Sequence, residues 1–186
     1  LARFVLPKAI KGPDFQGGAS RAWRSPGGPK RQIRRGPEPI RRASGVECIA
    51  HGRVTMFVTM RDNLRLNVQI QGSGEPLLLI HGFTGSHRSW GEDLISGLCT
   101  AHQVVAVDLL GHGESDISPH PGRYAVDEML EDLGQVLDAL AIQEARWLGY
   151  SMGGRIALAG AVRSPERISS LILESASPGL GGGGER

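Results

Sequence analysis

A strand-like segment joins a helical segment through one serine that has a glycine two residues away on each side. The apolar run 145–148 comes first and the small-residue run 155–162 comes last, with Ser151 between them. A strand that turns this sharply into a helix forces its turn residue into a strained conformation, and Gly149 and Gly153 let the neighbouring backbones pass. The pattern therefore predicts a serine hydroxyl exposed above a helix N-terminus, where unpaired N–H groups favour negative charge.

Short apolar runs alternate with helical patterns from residue 53 onward, which is typical of a parallel sheet covered by helices. Helices are predicted over 88–99 and 124–141, and the second has an apolar stripe with a period of 3.6 residues. We therefore predict an α/β fold with a mostly parallel, doubly wound sheet of about six strands and a site at the strand carboxyl ends. The predicted strands are 54–60, 64–70, 77–80, 104–107, 145–148 and 168–173.

The first 45 residues differ in composition from the rest of the chain. They hold 11 Lys/Arg against two Asp/Glu, whereas residues 46–186 hold 10 against 17. Their 6 prolines and 7 glycines occur without a repeat, which is typical of disorder. We predict a basic, disordered arm over 1–50 and a folded part over 51–186. Three interpretations of the arm stay open: upstream sequence that is not native protein, a disordered tail, or an organellar targeting segment.

Cysteine usage and hydropathy bound the cofactors and the compartment. Cys48 and Cys99 have neither the spacing of a metal site nor that of a disulfide framework. No apolar run approaches the ~20 residues of a membrane span, and no signal-peptide core is visible. We therefore expect no metal, no cofactor, no membrane partner and a cytoplasmic location, with organellar targeting by the arm as the alternative. We also expect no nucleic-acid partner for the folded part, and the oligomeric state stays open.

Two further glycine loops follow the predicted strands 77–80 and 104–107. The first is His81-Gly82-Phe83-Thr84-Gly85, and the second runs from Asp108 to Ser115. The carboxyl ends of neighbouring parallel strands meet at one edge of a sheet, so these loops should lie beside Ser151. A G-x-S-x-G segment alone is weak, but a strand before it, a helix after it and two companion loops make the combination strong.

Together these loops resemble the α/β-hydrolase superfamily over residues 54–178, the first half of that fold. In that superfamily the G-x-S-x-G segment is the nucleophile elbow. The resemblance implies that Ser151 is the catalytic serine and that the backbone N–H groups of Met152 and Phe83 form an oxyanion hole. It also implies that the turn after strand four, which begins at Asp108, is structural.

A finer resemblance rests on the neighbours of the serine. Tyr150 before it, Arg155 after the two glycines and the segment from Glu174 to Gly179 are similar to the 2-succinyl-6-hydroxy-2,4-cyclohexadiene-1-carboxylate synthase family of menaquinone biosynthesis. That family eliminates pyruvate from a succinyl-cyclohexene carboxylate, with the serine as the base that removes an α-proton. The resemblance implies a small-molecule carboxylate substrate, which Arg155 would bind bidentately and Tyr150 would contact. The alternatives are a local ion pair for Arg155 and simple packing for Tyr150.

The histidines do not complete a catalytic set. His81 and His112 precede the serine, whereas the superfamily order is serine, acid, histidine, so we expect structural roles for both. No histidine follows His120. Glu174, after the last predicted strand, is a candidate for the acid.

The sequence therefore predicts a truncated hydrolase domain. Its last strand, 168–173, should be an unpaired sheet edge, and the chain should be marginally stable, aggregation-prone and inactive by itself. Three hypotheses follow: a fragment of the lyase, a fragment of a generic carboxylesterase, thioesterase or C–C hydrolase, and a non-catalytic remnant that binds a partner through the open edge.

Overall fold

The computed structural model describes residues 52–178 and the backbone of Ala2–Phe4. Residues 1, 5–51 and 179–186 lie outside the described residues, and with them Cys48, Gly179 and the predicted basic arm apart from Ala2–Phe4. The boundary predicted near residue 50 also falls there, and it stays a prediction.

The described residues form one sheet of seven strands. Five strands run in one direction and two, β1 and β3, run in the other, which confirms a mostly parallel α/β sheet. The order across the sheet is β1-β7-β6-β4-β5-β3-β2. The central strands β4 and β5 are buried on both faces, as their uninterrupted apolar runs predict. The strands are β1 (Ala2–Phe4), β2 (Val54–Thr59), β3 (Arg65–Gln71), β4 (Glu75–Ile80), β5 (His102–Val107), β6 (Ala145–Tyr150) and β7 (Ile168–Glu174).

Within residues 52–178, three α-helices cover the two faces of the sheet: α1 (Glu92–Leu98), α2 (Val126–Ala139) and α3 (Met152–Arg163). Helices α2 and α3 pack on the larger apolar cluster, and α1 contributes to a smaller cluster made by the opposite face. None of the helices in the described part has the length and apolar character that a membrane crossing requires. The predicted apolar stripe of α2 lies in or against the larger cluster. Its members are Met129, Leu130, Leu133, Val136, Leu137 and Leu140.

Two predicted helices begin later than the sequence pattern indicates. The segment predicted over 88–99 is divided into a 3₁₀ turn, His87–Trp90, and α1, because Gly91 between them has a φ of 69°. The predicted helix start at residue 124 falls on the last residue of a 3₁₀ turn, Pro121–Tyr124. Helix α2 begins after that turn, at Val126. The extended backbone of Ala125, with a φ of −65° and a ψ of 148°, separates the turn from α2.

The outer edge of β7 is paired with the start of the chain. Ala2–Phe4 runs antiparallel to β7, with Ala2 opposite Leu173 and Phe4 opposite Leu171. The prediction of an unpaired edge is therefore wrong over these residues. Ala2–Phe4 contains no proline, so each of its residues is able to donate to the neighbouring strand.

Candidate functional site

Strand register brings three loops to one edge of the sheet. Ile80, the last residue of β4, is the partner of both Val107 in β5 and Gly149 in β6. Tyr150, the last residue of β6, is the partner of Glu174 in β7. The loops that follow β4, β5 and β6 therefore start side by side, as the sequence predicts.

Ser151 lies at the junction of β6 and α3 with a strained backbone. Its φ is 51° and its ψ is −109°, a conformation that costs a non-glycine residue on the order of 1–3 kcal/mol. A Cβ atom on Gly153 would overlap with the carbonyl oxygen of Ile80, and one on Gly149 would overlap with the carbonyl of Gly153. The Ser151 N–H donates to the Glu174 carbonyl at 2.9 Å, which ties the turn to β7. These contacts hold the serine in its unfavourable conformation.

The loop after β4 lies directly against this turn. A Cβ atom on Gly82 would be 2.9 Å from the Tyr150 ring and 3.5 Å from the Cβ of Ser151, so only glycine fits there. Neither the N–H of Phe83 nor that of Met152 has a hydrogen-bond acceptor within residues 52–178. One N–H without an acceptor among the described residues thus follows the serine directly, and the other lies next to Gly82 in the loop that packs against the serine. Such groups are what a developing oxyanion requires.

His81 serves the structure of this loop. Its imidazole is 1% exposed, Nδ1 lies 2.7 Å from the Gly82 carbonyl, and Nε2 accepts the Leu109 N–H at 3.1 Å. The second contact fixes the proton on Nδ1, which therefore donates to Gly82. Burial lowers the pKa of His81 from its ordinary value, so the ring is neutral. Both ring nitrogens are occupied, in agreement with the structural role expected for this histidine.

The loop after β5 is built on a buried carboxylate. Asp108 is fully buried, and its oxygens accept hydrogen bonds from the side chain of Asn67 at 2.9 Å and from the N–H of Glu114 at 2.9 Å. The backbone N–H of His87 also donates to it, and the His87 Nδ1 lies 2.9 Å from both oxygens. Burial alone would raise the pKa of Asp108, but these hydrogen bonds together lower it. The carboxylate is therefore ionised and fixed.

Sequence reasoning did not identify Asn67 or His87 as part of this network. Asn67 occupies one of the alternating polar positions of β3, RLNVQIQ, a pattern that predicts a solvent-facing side chain, yet it is fully buried. His87 lies in an irregular segment with no pattern that marks it. The two residues meet Asp108 from 41 and 21 positions away.

Tyr150 and Arg155 lie at the surface beside Ser151. Tyr150 is 44% exposed, and one side of its ring meets Gly82. Arg155 is exposed one helical turn after the serine, and its Nη2 donates to the Ser177 hydroxyl at 3.4 Å. No carboxylate among the described residues pairs with Arg155. Its charge is thus not neutralised by any carboxylate of the described residues, one helical turn from Ser151.

Among the described residues, Ser151 lacks the partners of a complete catalytic set. Within residues 52–178, no imidazole hydrogen-bonds to the Ser151 hydroxyl. The Glu174 carboxylate accepts from the Ser175 hydroxyl at 3.2 Å, and its role as an acid stays a prediction. In the same part of the chain, no group of three or more His, Cys, Asp or Glu is arranged to hold a metal ion.

The chain matches the model of a known family and is similar in sequence to curated proteins. A family model described as the alpha/beta hydrolase fold matches residues 75–181. A protein of Bacillus subtilis (strain 168), provisionally described as 2-succinyl-6-hydroxy-2,4-cyclohexadiene-1-carboxylate synthase, is 38% identical over 134 residues, which is 71% of this chain and 48% of that protein. The 2-hydroxymuconate semialdehyde hydrolase of Pseudomonas sp. (strain CF600) is 38% identical over 59% of this chain and 39% of its own length.

A solved structure gives the same result. The crystal structure of a hydrolase from Pseudomonas aeruginosa PA01 superposes with a TM-score of 0.63 and 32% identity, over 69% of this chain and 48% of that one. The chain thus spans less than half the length of these two relatives and of this structure.

Proposed function

Because this chain belongs to the α/β-hydrolase fold family, we propose that it carries the serine, oxyanion-hole and carboxylate-binding parts of a pyruvate-eliminating lyase of menaquinone biosynthesis. The observation that carries the proposal is the strained Ser151, together with two N–H groups and one arginine that have no acceptor and no carboxylate partner, respectively, among the described residues. The relative with the provisional synthase description supports the reaction class.

Ser151 acts as the base in this proposal. Once an imidazole has taken its proton, the serine oxygen removes the α-proton of a succinyl-cyclohexene carboxylate. The electron pair of the broken C–H bond forms a new C=C bond, and the C–O bond to the pyruvate unit breaks. The pyruvate unit leaves with the electron pair of that C–O bond as its enolate and then gains a proton. The N–H groups of Phe83 and Met152 stabilise the negative charge that develops on the substrate carbonyl.

Arg155 and Tyr150 are proposed to bind the substrate. A guanidinium with no carboxylate partner among the described residues is suited to a substrate with several carboxylates, because two parallel N–H donors match a carboxylate bidentately. Tyr150 lies on the other side of the serine in sequence and is exposed next to the loop that contains Phe83. We place the reaction in the cytoplasm, with no metal and no organic cofactor, since proton transfer by serine needs neither.

The imidazole is missing from these 186 residues, because no histidine follows His120. His81 is fully occupied, and His112 contacts two carbonyls instead of the serine. We therefore expect this stretch of chain to be inactive alone. The experiment needs the protein with whatever sequence its gene encodes after Arg186.

Pyruvate release from the succinyl-cyclohexene carboxylate tests the proposal, with a coupled dehydrogenase as the readout. Arg155→Ala should raise KM by about 10- to 100-fold, since it removes a charge-assisted contact worth roughly 1.5–3 kcal/mol. Arg163→Ala is the matched control: this arginine lies on the same helix, pairs with Asp127 at the surface, and should leave KM unchanged.

A second function has one specific support, the relative that is a 2-hydroxymuconate semialdehyde hydrolase. In that case Ser151 belongs to a C–C hydrolase, or to an esterase or thioesterase, and nitrophenyl esters are cleaved without pyruvate release. If neither reaction occurs and a fluorophosphonate does not label Ser151, the chain is a non-catalytic remnant and the proposal is wrong.

A further inference from the structure

His112 connects the loop after β5 to the loop that contains Phe83. Its Nε2 lies 2.6 Å from the Phe83 carbonyl oxygen, and its Nδ1 lies 3.0 Å from the Leu110 carbonyl oxygen. The ring also meets the Phe83 ring edge-on, with centroids 6.2 Å apart. Both ring nitrogens face carbonyl oxygens, and an N–H on Nε2 makes the shorter of the two contacts.

The segment that presents His112 is rigid on its other side. The His112 N–H donates to the Leu109 carbonyl at 2.9 Å, and the Ser115 N–H donates to the His112 carbonyl at 3.0 Å. Leu109 and Leu110 are each 1% exposed. The following glycine, Gly113, has a φ of 53° and lies against the fixed Asp108 carboxylate, so no side chain fits at that position. His112 is therefore a fixed donor.

Phe83 has much less support than His112. Its side chain is 71% exposed, and His112 is the one described residue that donates to its carbonyl. The preceding peptide is held from the other side, where the Gly82 carbonyl accepts from His81 and from the Gly85 N–H. The Phe83 N–H belongs to that peptide, opposite the Gly82 carbonyl. The direction of the Phe83 N–H thus depends on two sets of contacts. His81 and Gly85 hold the Gly82 carbonyl, and His112 holds the Phe83 carbonyl.

We propose that His112 is a positioning residue that fixes the direction of the Phe83 N–H in the oxyanion hole. This inference rests on the proposed function, because it assigns a role in catalysis to a contact made away from the serine. Loss of the donor releases the Phe83 carbonyl, so the backbone at Phe83 varies more, and the Gly82–Phe83 peptide that carries the N–H then points less accurately at the charge that forms during the reaction. Substrate binding through Arg155 is unaffected.

The kinetic test uses the protein with all the sequence that its gene encodes after Arg186. His112→Phe keeps a ring but removes the donor, and kcat should fall on the order of 10- to 100-fold, somewhat less than loss of an entire oxyanion-hole donor. KM should stay within about threefold. His112→Gln restores an N–H donor and should recover most of kcat. His120→Phe replaces an exposed histidine and should change neither constant.

Amide hydrogen exchange tests the same contact without turnover. The Gly85 N–H donates to the Gly82 carbonyl, so its exchange reports on the order of this loop. It should be faster in His112→Phe than in the wild type and in His112→Gln, at equal global stability in urea. Unchanged exchange, or an unchanged kcat in His112→Phe, overturns the inference. If exchange responds but the wild type releases no pyruvate, the contact stands, and the catalytic role fails together with the proposed function.

Discussion

The loops after β5 and β6 begin at the same edge of the sheet, yet they are built in opposite ways. In the loop after β5, the Asp108 carboxylate is fully buried and accepts hydrogen bonds from Asn67, His87 and Glu114. In the loop after β6, Ser151 is half-buried and strained, and the Met152 N–H that follows it has no acceptor among the described residues.

The two loops therefore differ in role: the loop after β5 supports the fold, and the loop after β6 carries the proposed chemistry. A buried carboxylate with all its hydrogen bonds formed stabilises a fold and offers nothing to a ligand. A strained residue with free donors costs stability, and such residues cluster at functional sites. Substitutions in the two loops should therefore affect different quantities: stability in one and activity in the other.

The largest expected effect lies in the loop after β6. In the protein with all the sequence that its gene encodes after Arg186, Ser151→Ala and Ser151→Gly should each lower pyruvate release by at least about 10⁴-fold, because the base is lost. Ser151→Gly should also raise the free energy of unfolding by about 1 kcal/mol, because glycine accepts a positive φ without strain. Urea denaturation of both variants measures this. A glycine variant less stable than the alanine variant would contradict the assignment of strain to this residue.

The next effect lies in the loop after β5. Asp108→Ala leaves the donors of Asn67, His87 and Glu114 without their shared acceptor and should lower the free energy of unfolding by about 3–5 kcal/mol. Asp138→Ala is the control, since Asp138 pairs with Arg167 at the surface and should cost less than about 1 kcal/mol. Equal losses in urea denaturation would show that the buried network is not what supports the loop.

The smallest effect concerns His81, which links the loops after β4 and β5. Burial lowers its pKa from an ordinary value of 6.5, so the unfolded chain binds a proton more readily than the folded one. Stability is therefore complete above about pH 6.5 and falls as the pH decreases toward the folded-state pKa, by at most about 1.4 kcal/mol per pH unit. His81→Gln should reduce the loss of stability between pH 7.5 and 5.5. Identical losses in wild type and variant would exclude this histidine as the cause.

Local patterns in the sequence predict much of this architecture. The apolar stripe of α2, the uninterrupted run of β4 and the glycines around Ser151 each depend on neighbours a few residues away, and each is confirmed in the fold. The positions of Ser151, Phe83 and Met152 at one sheet edge follow from strand order, while their catalytic roles stay predictions.

Contacts between distant residues could not be predicted in the same way. Asn67 meets Ser115 across 48 positions, and His112 meets Phe83 across 29. Nothing periodic marks either pair, since each depends on how two loops approach after the sheet has formed. Asp132 is a further example. Its place near the start of α2 suggests a carboxylate that interacts favourably with the helix dipole, yet it is buried and paired with Arg123.

The hydrogen bond from Ser151 to the Glu174 carbonyl also has a consequence for biosynthesis. A ribosome makes Ser151 well before β7, and a nascent chain that stops short of Glu174 lacks the strand that holds the elbow in place. In such a chain Ser151 lacks one of the contacts that enforce its strained backbone, and strain persists only where the surroundings enforce it. The turn at Ser151 is therefore complete only once the chain has been synthesised as far as Glu174.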